Sequence, residues 1–273
     1  MNMIDFLPLI GGAIGGATSA GALKGPIKTL EELWYINFGY STSVEADKLR
    51  KLQQQHVESY AQDIADEISK ISPDNICEPS LNIIGPTLEA SKFYIGDEEI
   101  RSMFAKLLAS SMDQSKSNNA HSSFVEIIKQ MSPLDAENLS IMNTVNSAPI
   151  SQIRTKSISA GGDRIIVNNF FLDNPNAINY NEISASLENL QRLGLISISY
   201  DSYLLPIEKY DKFLENNIFL LYKQSIELAN LPGNPHKDNK AISSSRGLES
   251  PTIKKGIVRT TEFGKRFCRV CII

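Results

Sequence analysis

Apolar residues recur at three- and four-residue steps through Val57, Tyr60, Ala61, Ile64, Ala65, Ile68 and Ile71. That spacing places side chains on one face of an α-helix, so residues 45–71 read as one long amphipathic helix that Ser72-Pro73 ends. Its opposite face carries Lys48, Arg50, Lys51, Glu58, Asp63, Asp66 and Glu67, a solvated charged row. After a proline-containing turn, Leu81, Ile84 and Leu88 continue the pattern. Gly85-Pro86 is expected to kink or restart that helix, because proline removes a donor and crowds the preceding turn. The next stripe is Ile100, Met103, Phe104, Leu107 and Leu108, with Asp97 placed to cap it. A polar loop follows at 114–120. Ser123 with Glu126 three residues later reads as a capping box before Val125, Ile127, Ile128 and Met131, and Ser132-Pro133 opens another helix by the same logic.

Beyond Pro133 the periodicity changes. Pro133 to Val145 reads as a helix, and the stretches ISQIRTKSIS and RIIVNNFF, separated by Gly161-Gly162, read as two strands. Asn181 is placed to cap a helix whose Ile183, Leu187, Leu190 and Leu193 face inward, with Ser184, Ser186, Glu188, Asn189, Gln191 and Arg192 outward. Gly194 ends it as a residue suited to the left-handed region. A strand from Leu195 to Tyr200, a second from Gly256 to Thr260 and a final helix headed by Thr261 complete the order. A helix at Ile207–Leu228 and a polar loop at 231–251 interrupt it. The expected fold is mainly α with a minor β component, a helical body followed by a winged-helix-like α+β module. The expected divisions are a leader at 1–41, the body at 42–131 and the module at 132–273.

Three segments of the body, EPSLNIIGPTLEASKFY, EEIRSMFAKLLASSMD and HSSFVEIIKQMSPLDA, resemble the bacterial abortive infection alpha family, and TTEFGKRFCRVC resembles its closing helix. The resemblance is strongest over residues 44–145 and looser to the C-terminus. It implies a setting, protection of a bacterial population from phage. It brings no catalytic residue with it.

The leader changes the picture of location. Phe6 to Leu23 carries no charge and just reaches the roughly 18-residue length of a membrane span. Its glycines and alanines contribute little to insertion, so the favoured reading is a soluble or surface-associated leader in a cytoplasmic protein. No basic stretch precedes the run, which opposes a secretory signal. The glycines match no phosphate loop. Residues 28–40 read as a short amphipathic helix with Leu30, Leu33, Trp34, Ile36 and Phe38 as anchors. Three cysteines, an odd number in 273 residues, argue for a reducing compartment.

Charge adds an asymmetry that the net value of −4 hides. Residues 1–140 hold 11 Lys/Arg against 19 Asp/Glu, and residues 141–273 hold 16 against 12. Within the positive half, residues 237–273 carry nine Lys/Arg against three Asp/Glu. Arg192, Lys254, Lys255, Arg259, Lys265, Arg266 and Arg269 are therefore the candidates for touching a nucleic-acid backbone or the acidic half of a partner. Other constellations point to structure. Cys268-x-x-Cys271 is a single pair where a closed zinc site needs four ligands, and it lies among Phe267, Val270 and Ile272, so buried thiols are expected. His121 reads as a surface or capping residue, and Arg101 with His121 would suggest a nuclease pair, but no carboxylate or second cation accompanies the two at meaningful spacing. Asp97, Glu98 and Glu99 complement a helix dipole.

The sequence thus points away from an enzyme, a cofactor or a metal. It favours a non-catalytic sensor or effector of phage defence that works through contacts with a phage or host protein, with a copy of itself, or with a membrane at 6–23. A winged-helix regulator of nucleic acid is the alternative.

Overall fold

The computed structural model describes residues 47–159, 161–176, 179–232, 245 and 247–272, with side chains from residue 55 onward. The leader and the 28–40 helix lie outside the described residues. The fold is mainly helical with one four-stranded antiparallel sheet. It divides into two compact units: the chain up to Glu137 together with Glu262–Ile273, and Asn138–Thr261.

The first unit is built on α1 (Asp47–Ser69), α2 (Leu81–Ser91), α3 (Glu98–Ser111), α4 (Ser123–Ile128), the start of α5 (Pro133–Val145) and the last helix, α9 (Glu262–Cys271). The long periodic stripe is the buried face of α1: Tyr60, Ala61, Ile64, Ala65 and Ile68 are all at most 1 % exposed. Helix α3 is central and packs against α1, α2, α4 and α9. Its enclosure explains why Ala105, Ala109, Ser110 and Ser111 are buried beside the Ile100, Met103, Phe104, Leu107, Leu108 stripe. A helix touched on several sides needs small residues where its neighbours come close. Ser111 meets its hydrogen-bonding need locally, its Oγ donating to the Leu108 carbonyl at 2.7 Å, while Ser110 Oγ donates to the Val270 carbonyl of α9 at 3.1 Å.

Several local expectations are corrected here. Helix α2 runs through Pro86 as one element with no restart. Its inward face is Ile83, Ile84, Thr87 and Leu88, while Leu81 at its first turn is exposed. Asp97 stands at the N-cap of α3 without a side-chain cap bond. Ser123 is not a cap: the N-cap is Ser122, and the Ser123 N–H instead donates to His121 Nδ1 at 3.1 Å. The second box does form, with the Ser132 N–H donating to Asp135 Oδ2 at 2.7 Å and the Asp135 N–H to Ser132 Oγ at 3.2 Å. That reciprocal pair satisfies two donors of the helix start, at Pro133 as expected.

The second unit is organised on the sheet, in order β2-β1-β4-β3, from β1 (Ser147–Lys156), β2 (Asp163–Phe170), β3 (Ile196–Ser199) and β4 (Thr252–Thr260). The β1–β2 hairpin turns through Gly161 at φ 62°. Register shifts between Ser151 and Arg154 of β1 leave extra residues on β2 between Phe170 and Ile165, and such unpaired residues bend the strand that carries them. The sheet curls, so that α6 (Tyr180–Arg192) touches both edge strands, β2 and β3. Helix α6 is capped by Asn179, whose side chain accepts from the Asn181 N–H; the cap therefore falls two residues before the expected Asn181. Gly194 at φ 75° ends it as expected.

The stretch expected as one helix at Ile207–Leu228 is broken into a 3-10 turn at Ile207–Tyr210, α7 (Asp211–Glu215) and α8 (Asn217–Asn230). Asn216 makes the break: its side chain accepts from the Ile218 N–H at 2.9 Å, starting a new helix where the old one would have continued. These short elements cover one side of the sheet, where Ile153, Val167, Phe170, Tyr210, Phe213 and Phe219 form a core.

Candidate functional site

The candidate basic residues fall in both units. Arg192, Lys254, Lys255 and Arg259 belong to the second, and Lys265, Arg266 and Arg269 to the first.

In the second unit, β4 pairs Lys254 with Gln152, Lys255 with Ser151, and Arg259 with Ser147 on one side and Ser197 on the other. Lys255 is half-buried, its ammonium 5.8 Å from the Tyr203 ring centre and 5.6 Å from that of Tyr210, where the negative ring faces attract it. Tyr210 is buried beneath it, accepting from the Leu204 N–H at 2.9 Å and donating to the Gly256 carbonyl at 2.6 Å. Tyr203 is 52 % exposed. Arg259 is exposed and Lys254 half-buried. Arg192, exposed at the end of α6, donates to Asn189 Oδ1 at 2.7 Å.

The outward face expected for α6 is corrected at Ser186. This residue is buried, and Ser186 Oγ accepts from Asn138 Nδ2 at 2.9 Å, while Asn138 Oδ1 accepts from Asn174 Nδ2 at 2.8 Å. A buried amide must find partners or lose stability, and this run supplies them between α5, α6 and the loop after β2.

A second polar cluster was not singled out from the sequence. Gln152 donates to Asn168 Oδ1 at 2.9 Å, Asn168 and Asn169 each donate to Glu188 Oε1 at 3.3 Å, and Tyr200 Oη donates to Asn169 Oδ1 at 2.9 Å. Asn169 has φ 46°, a conformation that asparagine tolerates better than most residues. The adjacent pair Asn168-Asn169, between the apolar run Ile165–Val167 and Phe170, was the available signal. The cluster joins β1, β2, α6 and the end of β3, and burial pushes the Tyr200 phenol well above its ordinary value. These groups largely satisfy one another, which suits holding the curl of the sheet.

In the first unit the cations act on the chain itself. Lys265 pairs with Glu262 at 2.6 Å, and this hydrogen bond holds the Glu262 carboxyl below its ordinary value. Arg266 donates from Nε to the Asn119 carbonyl at 3.0 Å and from Nη2 to that of Asn118. Arg269 is exposed and its Nε donates to the Lys265 carbonyl at 3.4 Å. Lys106 and Ser110 of α3 donate to the carbonyls of Ile272 and Val270. Arg101 meets Asp63 of α1, 38 residues earlier in the chain, at 2.6 Å and also reaches the Ile95 carbonyl. His121 Nδ1 accepts from the Ser123 N–H at 3.1 Å at the start of α4, the capping contact expected of it.

Cys268 and Cys271 are buried, as expected for structural thiols, and Cys77 is half-buried. Burial pushes the Cys268 thiol up to about 12 and Cys271 well above its ordinary value. Such thiols are poor nucleophiles, because the thiolate is the reactive form. Among the described residues no helix is long and apolar enough to cross a membrane, and no group of three or more His, Cys, Asp or Glu is arranged to hold a metal ion.

No curated protein and no solved structure matches the chain. A family model does, over residues 52–271, which takes in both units and the final helix. That span exceeds the strongest part of the resemblance seen in the helical body and extends it through the sheet. The chain belongs to the family described as abortive infection alpha.

Proposed function

We propose that this chain is a bacterial antiphage defence protein of abortive-infection type, acting in the cytoplasm as a non-catalytic sensor or effector through protein contacts. The observation that carries the reading is family membership across residues 52–271. The chemistry of the candidate groups supports a contact role: Cys268 and Cys271 are protonated and buried, Arg101 is paired with Asp63, and His121 caps a helix. The test is phage challenge in liquid culture against an empty vector. Protection at low phage-to-cell ratio with arrest or collapse at high ratio is the expected result; absence of protection against a broad phage panel overturns it. Deleting residues 1–41 tests the membrane arm, since loss of both protection and vesicle flotation would place the effect at a membrane.

The second reading is a winged-helix regulator of nucleic acid. It is favoured by the order α6, Gly194 turn, β3 and β4, with exposed Arg259 and half-buried Lys254 on β4. Binding through phosphates weakens steeply with salt, and the slope should shrink by about one for each phosphate-contacting cation removed. Neutralising Lys254 and Arg259 without changing affinity or slope rejects this reading.

A further inference from the structure

Helix α8 buries one side and leaves an apolar ridge on the other. Phe219, Ile226 and Ala229 face the core of the second unit, whereas Leu220 is 45 %, Leu221 58 % and Leu231, just past the end of the helix, 54 % exposed. Half-buried Leu228 lies between them on the outer side, and Lys223, Gln224 and Glu227 are exposed along it. The ridge spans residues 220–231, about 16 Å at 1.5 Å per residue. The stretch leading into it also exposes Tyr203, Leu205, Ile207 and Leu214. Seven large apolar side chains between residues 203 and 231 thus face solvent. Together they expose on the order of 600 Å² of apolar surface.

We propose that a second copy of this chain covers the ridge, α8 packing antiparallel on α8 across a twofold axis near Gln224 and Ser225. The pattern is self-complementary about that point. In an antiparallel pair, residues whose numbers sum to about 450 lie opposite one another. Leu220 and Leu221 of one copy then lie over the Leu228–Leu231 turn of the other. The same register sets Lys223 of each copy against Glu227 of the other, giving two opposite-charge contacts flanking the apolar seam. Displacing the register by one helical turn would lose both, which is how such charges select an alignment. The apolar area also suits a second copy. A standard interface removes roughly 800 Å² from each partner, around an apolar centre and within a polar rim. The flanking charges are mixed: Glu208, Lys209, Asp211, Lys212, Glu215, Lys223 and Glu227 sum to −1, which gives no attraction to an anionic lipid surface.

The test is sedimentation of the full chain over a range of concentrations, with circular dichroism as a folding control. Four variants are compared: Leu221→Glu, Lys223→Glu, Glu227→Lys and the double charge swap Lys223→Glu/Glu227→Lys. The expected result is a dimer that Leu221→Glu dissociates and that each single charge reversal weakens by about tenfold or more. The double swap should restore wild-type association. A chain that stays monomeric at every concentration overturns the proposal. So does a dimer that Leu221→Glu leaves intact, or single reversals that the double swap fails to rescue. Should Leu221→Glu fail to fold, the charge series decides alone. A monomer that floats with phosphatidylcholine/phosphatidylglycerol vesicles, and loses flotation in Leu221→Glu, assigns the ridge to lipid and also overturns it. Because the readout is association in solution, it stands or falls separately from the phage-defence reading.

Discussion

Phe267→Ala is the sharpest test of how the first unit is held together. The Phe267 ring is fully buried and meets Phe124 edge-on, with centroids 5.1 Å apart and planes at 81°, while Phe124 also meets Phe263 at 5.6 Å. Truncating a buried Phe to Ala typically costs about 3–5 kcal/mol, through lost transfer energy and the cavity left behind. The aromatic pairing contributes roughly 0.5–1.5 kcal/mol of this. Against a total stability of about 5–15 kcal/mol the loss is large, since 3 kcal/mol alone raises the open population roughly 150-fold. Hydrogen exchange read by mass spectrometry localises the effect. If α9 is integral to the first unit, peptides from 98–128 and from 262–272 should lose protection together, by roughly two orders of magnitude. Phe267→Leu, which keeps most of the volume, should cost less than about 1.5 kcal/mol. Phe213→Ala is the control: it empties a site in the core of the second unit. Loss of protection confined to 262–272 in Phe267→Ala, with 98–128 unchanged, would refute the reasoning, because α9 would then be an appendage.

Three further outcomes follow from local geometry. Gly256→Ala would bring a Cβ within 2.5 Å of Tyr200 Cδ1 and 2.8 Å of the Ser199 carbonyl oxygen. A stability loss of roughly 1–3 kcal/mol is expected, partly relieved by adding Tyr200→Ala; a neutral thermal melt would contradict it. Ser132→Ala removes the acceptor of the Asp135 N–H and should cost about 1 kcal/mol in urea unfolding, whereas no change would mean the box does not stabilise α5. The Cys268 thiol is held up from 9.0 to about 12, so the folded chain keeps a proton that the unfolded chain releases. Its contribution is fully present below pH 9 and is lost by about 1.4 kcal/mol per pH unit as pH rises toward 11. The difference in melting between wild type and Cys268→Ala should therefore narrow across that interval; a constant difference would argue against the buried thiol.

Legibility from sequence followed the physics of each element. Periodicity found α1, α3 and α6 because each shows a continuous apolar stripe along the chain. Ser132-Pro133 and Gly194 were readable because capping and left-handed termination depend on residue type at one position. Asn216 was a cap signal of the same kind, hidden because the apolar pattern of 207–228 continues across it. Ser186 was misplaced because its burial depends on Asn138, 48 residues earlier in the chain, and no local pattern shows such a partner. The basic candidates were recognised by composition alone. Composition could not reveal that Arg266 is committed to the carbonyls of Asn118 and Asn119, or that Lys255 lies over Tyr203 and Tyr210. The ridge on α8 escaped notice for a related reason. Leucines in a helix read as core until the structure shows which of them face out.

Abortive infection makes a claim about single cells, so the most direct measurement is made on infected cells. Cells expressing the chain and cells carrying an empty vector are infected in one synchronous round. Two quantities are then counted: the fraction of infected cells that release progeny, and the fraction that form colonies. The account predicts that release falls sharply while colony formation does not recover, so that infected cells are lost without producing phage. Infected cells that survive and divide would contradict it, and so would an unchanged yield of phage per infected cell.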